Sequence, residues 1–169
     1  NQGLASTTWT LGTVAGEQHI AVSVQGSTTT LLEVSATGLA AEADSLVKAS
    51  GDLQSGAIDQ PLTDSIVVQL QDEFGNGVAG GEVTFAVTGG GGAVSAETVT
   101  TDSGGFAQTV WTLGPTVGAA TLSATALGIP TVAFTATAMV PMPDLVAGEL
   151  SVSPASPTSM QTVTVTVPV

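Results

Sequence analysis

Leu70–Pro115 reads LQDEFGNGVAGGEVTFAVTGGGGAVSAETVTTDSGGFAQTVWTLGP, and this stretch decides the fold. Three runs in it have strand character: Glu82–Thr88, Ala96–Thr101 and Phe106–Leu113. In EVTFAVT, apolar and polar residues alternate, which puts one face on a core and the other in water. The connections carry Gly75-Asn76-Gly77 and Asp102-Ser103-Gly104-Gly105, residue types that supply the positive φ of tight hairpin turns. Gly89–Gly92 is expected to be a flexible connection, filling an extended loop or a bulge.

Working outward, the end of this stretch recurs at the start of the chain. NQGLASTTWTLGTVAGEQHIAVSVQG aligns without gaps on SGGFAQTVWTLGPTVGAATLSATALG at a spacing of 102 residues. Trp9 pairs with Trp111, Leu11 with Leu113, Gly12 with Gly114, Gly16 with Gly118 and Gly26 with Gly128. After a two-residue slip, Leu32–Thr37 matches Val132–Thr137. A period of roughly 100 residues is the length of a β-sandwich domain and far too long for a solenoid unit.

The expected fold class is therefore all-β: tandem immunoglobulin-like β-sandwiches, one complete and flanked by two partial ones. The complete repeat, 41–138, has predicted strands at Ser45–Ala49, Ser65–Gln71, Glu82–Thr88, Ala96–Thr101, Phe106–Leu113, Ala119–Ala126 and Thr131–Thr137. Short strands at this spacing, with turn signals between them, are the pattern of such a sandwich. Residues 1–40 correspond to the last part of a repeat, with strands at Leu4–Leu11, His19–Gln25 and Leu31–Ala36. The prolines of 139–143 mark a linker. Residues 144–169 open a further sandwich with strands at Glu149–Ser153 and Gln161–Val167. The best helical candidate, Ala40–Ala49, is still read as strand.

Composition sets limits on chemistry. Fourteen acidic residues against a single base, Lys48, give a formal charge of −13. Nothing in such a chain neutralises phosphates, which excludes nucleic acid as a partner, and nothing docks it on an anionic membrane. The absence of cysteine excludes disulfides and thiolate metal sites. No run has the length of a membrane-spanning helix, so no direct membrane insertion is expected. Aromatic residues are scarce, so Trp9, Trp111, Phe74, Phe85, Phe106 and Phe134 are expected as the large pieces of the core.

The complete repeat resembles the bacterial immunoglobulin-like domains of the invasin/intimin type. Asp72, Gly75, Asn76, Val78, Val83 and Phe85 match that family's D-x-x-G-N-P-V-x-G-V-x-V-x-F segment. Gly77 stands in place of the customary proline, and Gly80–Gly81 shift the spacing. Thr101, Asp102, Gly105 and Ala107 match its T-D-x-x-G-x-A turn. The C-terminal piece, through Pro143-Asp144-Leu145 and SPASPTSMQTVTVTV, resembles the opening of a cell-adhesion-related bacterial β-sandwich domain. The resemblance implies spacer modules of surface proteins rather than enzymes.

Few side chains suggest chemistry. His19 is the only histidine, which leaves no triad to assemble, and a surface or edge position is expected for it. Trp9 and Trp111 are expected to pack in the core or at a strand end. Asp72, Glu73 and Asp102 sit in connections expected to converge at one end of a sandwich. They are candidate Ca²⁺ ligands, but lack EF-hand spacing, so turn formation and backbone capping are the competing roles. No other cofactor is expected. An isopeptide from Lys48 has only Asn1 and Asn76 as acceptors, and Asn76 belongs to a turn. The glycines at 89–92 lack the lysine and helix of a phosphate loop.

The function expected is a structural or adhesive segment of an extracellular bacterial surface protein or filament, without catalysis. The alternative is an accessory ligand- or glycan-binding module of a larger secreted enzyme. Expected partners are neighbouring immunoglobulin-like domains of the same or another copy. Two readings of the partial ends stay open. The chain is a window on a longer polypeptide, or the strand Gln161, Thr162, Val163, Thr164, Val165, Thr166 and Val167 completes residues 1–40 of another copy.

Overall fold

A computed structural model describes residues 5–26, 30–141, 151–153 and 164–166. An antiparallel hairpin comes first, β1 (Gly16–Ser23) and β2 (Thr30–Gly38). A two-sheet sandwich follows. One sheet has the order β3 (Ala43–Ser50), β5 (Ile66–Asp72), β9 (Phe106–Thr109). The facing sheet has the order β4 (Gln54–Ala57), β12 (Val132–Met139), β11 (Gly118–Ala126), β6 (Glu82–Gly89), β8 (Thr98–Thr100). The first edge strand is split between them: β3 pairs antiparallel with β5, whereas β4 crosses over and runs parallel to β12. β7 (Gly92–Val94) pairs with β10 (Trp111–Leu113), and β13 (Ser151–Ser153) pairs with β14 (Thr164–Thr166). The architecture is an all-β, immunoglobulin-like sandwich.

Period-two burial builds the core. Ile66, Val68 and Leu70 point inward from β5, and Val83 and Phe85 from β6. Ala120, Leu122 and Ala124 do so from β11, and Phe134, Ala136 and Ala138 from β12. Trp111, Phe85 and Phe134 are its largest fully buried side chains. Each large apolar side chain removed from water contributes about 1.5–3 kcal/mol, so these few residues dominate the sandwich. Phe74 and Phe106, expected in the core, are instead 52% and 40% exposed. Phe74 lies in the turn after β5, and Phe106 is the first residue of β9, on its outward face.

Several expected strands differ in extent. Phe106–Leu113 breaks at Val110 into β9 and β10, which belong to different sheets. Ala96–Thr101 contracts to β8 because Ala96 is tied to the Thr109 side chain, through N–H···Oγ1 at 3.1 Å and Oγ1–H···O at 3.0 Å. The glycine run is not a free loop: Gly89 ends β6 and Gly92 starts β7, with a register shift beside it. Residues 5–11, expected to be strand, carry no ladder. β4 and β7 lie outside the expected strands, being short and poor in β-branched residues.

The repeat is visible as geometry. β1 and β2 pair Ile20 with Val34, and β11 and β12 pair their equivalents, Leu122 with Phe134. Gly16 and Gly118 open the two hairpins with the same φ of 118°. Burial differs: Val22 and Val34 are 43% and 42% exposed, whereas their equivalents Ala124 and Phe134 are fully buried.

Lys48, the sole base, closes one edge. Its ammonium lies 5.1 Å from the centre of the Phe134 ring and bonds the Asp52 carboxylate. Asp52 Oδ1 accepts the Thr135 N–H at 2.9 Å, linking the β3–β4 turn to β12. Burial pushes the Asp52 carboxyl up, but the hydrogen bond from Lys48, the Thr135 N–H and the charge of Lys48 outweigh it, so its pKa is lowered.

Phe134→Ala is expected to cost about 3–5 kcal/mol, because it empties a core position that cannot collapse. Val34→Ala, at the matching position of the exposed hairpin, is expected to stay within about 0.5 kcal/mol. Urea unfolding followed by tryptophan fluorescence measures both.

Candidate functional site

The densest set of side-chain hydrogen bonds lies where the hairpin meets the sandwich. Alternation along β5 turns Ile66, Val68, Leu70 and finally Asp72 to the inside. A carboxylate thus ends an apolar row, 2% exposed, where an unbonded charge would be costly. Four N–H groups meet it. Asp72 Oδ1 accepts the backbone N–H of Phe74 at 2.9 Å and of Asn76 at 2.8 Å. Asp72 Oδ2 accepts the Asn76 side-chain amide and the Ala41 N–H, both at 2.9 Å. Burial raises the pKa of this carboxyl. The bonds from the Asn76 side chain and the Ala41, Asn76 and Phe74 N–H groups more than offset that, holding it at about 2 against an ordinary 3.8.

Asn76 carries the contact across the junction. Its Nδ2 also donates to the Thr13 carbonyl at 2.8 Å, and its Oδ1 accepts the Ala15 N–H at 2.9 Å. One side chain therefore holds both the loop ahead of the hairpin and the buried acid. Ala41, on the connection from β2 to β3, adds the further tie to Asp72. A cleft of about 570 Å³ runs along this seam, lined in part by Gly16, Gly38, Leu39, Asn76 and Val78.

The turn beneath is packed by backbone. A Cβ on Gly77 would lie 2.0 Å from the Gly104 carbonyl oxygen, so the motif's customary proline has no room here. Thr101 Oγ1 donates to the Val78 carbonyl at 2.7 Å and accepts the Gly81 N–H at 2.9 Å. Asp102 Oδ1 accepts the N–H groups of Gly104 and Phe106 at 2.8 and 3.0 Å, forming the second turn.

Of the three candidate Ca²⁺ ligands, then, Asp72 and Asp102 organise turns. Glu73 lines a separate shallow cleft with Glu42 and Asp44. Among the described residues no group of three or more His, Cys, Asp or Glu side chains gathers as a metal site. His19 is half exposed, 3.9 Å from Glu17 and 3.7 Å from Glu33. Trp111 is fully buried, and its Nε1 has no hydrogen-bond partner among the described residues, whereas Trp9 is partly exposed. Lys48 is engaged by Asp52 and Asn76 by Thr13, Ala15 and Asp72, so Lys48 and Asn76 form no pair; Asn1 lies outside the described residues. Of the strand candidates, Thr164–Thr166 form β14 and pair with β13; Gln161, Thr162, Val163 and Val167 lie outside the described residues.

The Escherichia coli adhesin FdeC superposes on 92% of this chain with a TM-score of 0.55 and 20% identity. The fold is shared with a bacterial adhesin. A glycosyl hydrolase family 2 member from Bacteroides cellulosilyticus superposes on 75% of the chain with a TM-score of 0.51 and 17% identity. The chain spans 50% of the adhesin structure and 18% of the hydrolase. No protein-family model and no curated protein sequence matches it. No helix among the described residues is long and apolar enough to cross a membrane.

Two outcomes are expected at the junction. Asn76→Ala removes the side-chain bonds to Thr13, Ala15 and Asp72, and is expected to cost about 1–3 kcal/mol in urea unfolding. Asp72 titrates below its unfolded value, so the stability it contributes is present above pH 3.8 and lost as the pH falls through about 2. The melting temperature of the wild type is expected to fall more steeply in that acid window than that of Asp72→Asn.

Proposed function

We propose that the chain is a structural and adhesive segment of an extracellular bacterial surface protein or filament, acting as a spacer or assembly module without catalysis. The observation that carries this reading is the Asp72–Asn76 clamp, which joins the hairpin, the connection and the sandwich by hydrogen bonds to main-chain groups. A spacer has to transmit orientation from one unit to the next, and such a clamp does so with no ligand. The proposed units are 1–40, 41–138 and 144–169, with 139–143 as linker, and the proposed partners are neighbouring immunoglobulin-like domains. The shared fold with an adhesin supports the reading.

A second reading, an accessory module of a larger secreted enzyme, is favoured by the shared fold with the Bacteroides hydrolase. Under it, Trp9 is the available stacking surface, because Trp111 is sealed in the core. Saturable binding on a glycan array, lost in Trp9→Ala, supports that reading against the spacer.

Amide ¹⁵N relaxation on the full chain tests the spacer directly. Hairpin and sandwich amides are expected to share one rotational correlation time in the wild type and to separate in Asn76→Ala. Independent tumbling in the wild type defeats the proposal.

A further inference from the structure

The residue that bridges the junction also carries the chain's one Asn-Gly step, Asn76-Gly77. Asparagine is a thermolabile side chain, and its loss of ammonia is fastest when glycine follows, because no side chain hinders the next amide nitrogen. The chain has two asparagines, Asn1 before Gln2 and Asn76 before Gly77. Only Asn76 has the susceptible neighbour, and its amide nitrogen is the atom shared between Thr13 and Asp72.

We propose that Asn76-Gly77 is a site of spontaneous deamidation gated by the junction clamp, and that its conversion releases the clamp irreversibly. The Gly77 amide nitrogen attacks Asn76 Cγ and loses its proton; the Cγ–Nδ2 bond breaks, and Nδ2 leaves as ammonia. Water then opens the resulting succinimide at either carbonyl, giving aspartate or isoaspartate. The net change is addition of water and loss of ammonia, with no oxidant or reductant.

The structure opposes the first step while the junction is closed. Both amide atoms of Asn76 are held, Oδ1 by Ala15 and Nδ2 by Thr13 and Asp72, which fixes the side chain away from ring closure. The backbone is held too: the Asn76 carbonyl accepts the Asp72 N–H, Val78 N–H donates to Leu70, and Gly77 lies flush against Gly104. Reaction requires local opening, so its rate reports how often the junction opens. Once formed, a carboxylate at position 76 loses the donor. It faces the Thr13 carbonyl and the Asp72 carboxylate, a repulsive arrangement where the amide was attractive.

The test follows isoaspartate and the amide-to-acid mass gain in the 73–82 peptide of the full chain at mildly alkaline pH. The native chain is expected to convert about tenfold or more slowly than the same chain in urea. Ala15→Pro, which removes the N–H held by Asn76 Oδ1 without touching the sandwich, is expected to convert several-fold faster than wild type. In Asn76→Asp, hydrogen-exchange protection of the Ala15 amide is expected to disappear. Equal rates in the native and unfolded chains, an Ala15→Pro rate equal to wild type, or no conversion in urea overturns the gated site. Retained Ala15 protection in Asn76→Asp overturns the release of the clamp.

Discussion

A buried carboxylate at the end of an apolar strand face is the constraint on which the rest of the junction depends. Asp72 occupies the inward position that alternation along β5 assigns it, and it is ionised there. An ionised group in that position needs hydrogen bonds, and the donors come from three places: its own turn, the Asn76 side chain and the connection at Ala41. Satisfying one charge therefore ties the turn, the strand end and the incoming chain into a unit. Each of the two Asp72 oxygens accepts two N–H groups.

The two copies of the hairpin show how context acts on one pattern. Strand pairing, opening glycine and turn glycine recur, yet among the described residues only the second copy is covered by a facing sheet. Gln18 stands at the position equivalent to the buried Ala120. Its amide accepts the Gly12 N–H at 2.8 Å and donates to the Val14 carbonyl at 2.8 Å, stitching the loop ahead of β1. In the sandwich the equivalent Gly114 is instead packed directly on the backbone of Gly90–Gly92. Where a neighbouring backbone supports the loop a small apolar residue suffices; where none does, a side-chain amide performs the same task.

Recognition at the junction uses main-chain groups at Thr13, Ala15 and Ala41, read by two side chains of the following sandwich. Such a contact is indifferent to the side chains of the loop it holds. It also concentrates the contact to the loop ahead of the hairpin in Asn76, while Ala41 is held by Asp72.

Much of this was legible in the residues themselves. Alternation in IVVQLQ and EVTFAVT, the 102-residue spacing and the glycine-marked turns determined an all-β repeat, because strand period and turn chemistry are local properties. The turn bonds of Asp72 and Asp102 obey the same local logic, each carboxylate accepting N–H groups two and four residues on. Tertiary structure decided the rest. It split Phe106–Leu113 between two sheets, moved Phe74 and Phe106 to the surface, and drew the short β4 and β7 into ladders. It also turned Asn76 from a turn residue into a bridge to Thr13 and Ala15, some sixty positions away in the chain. That contact has no local signature, since its partners are backbone groups that every residue carries and only packing brings them within reach.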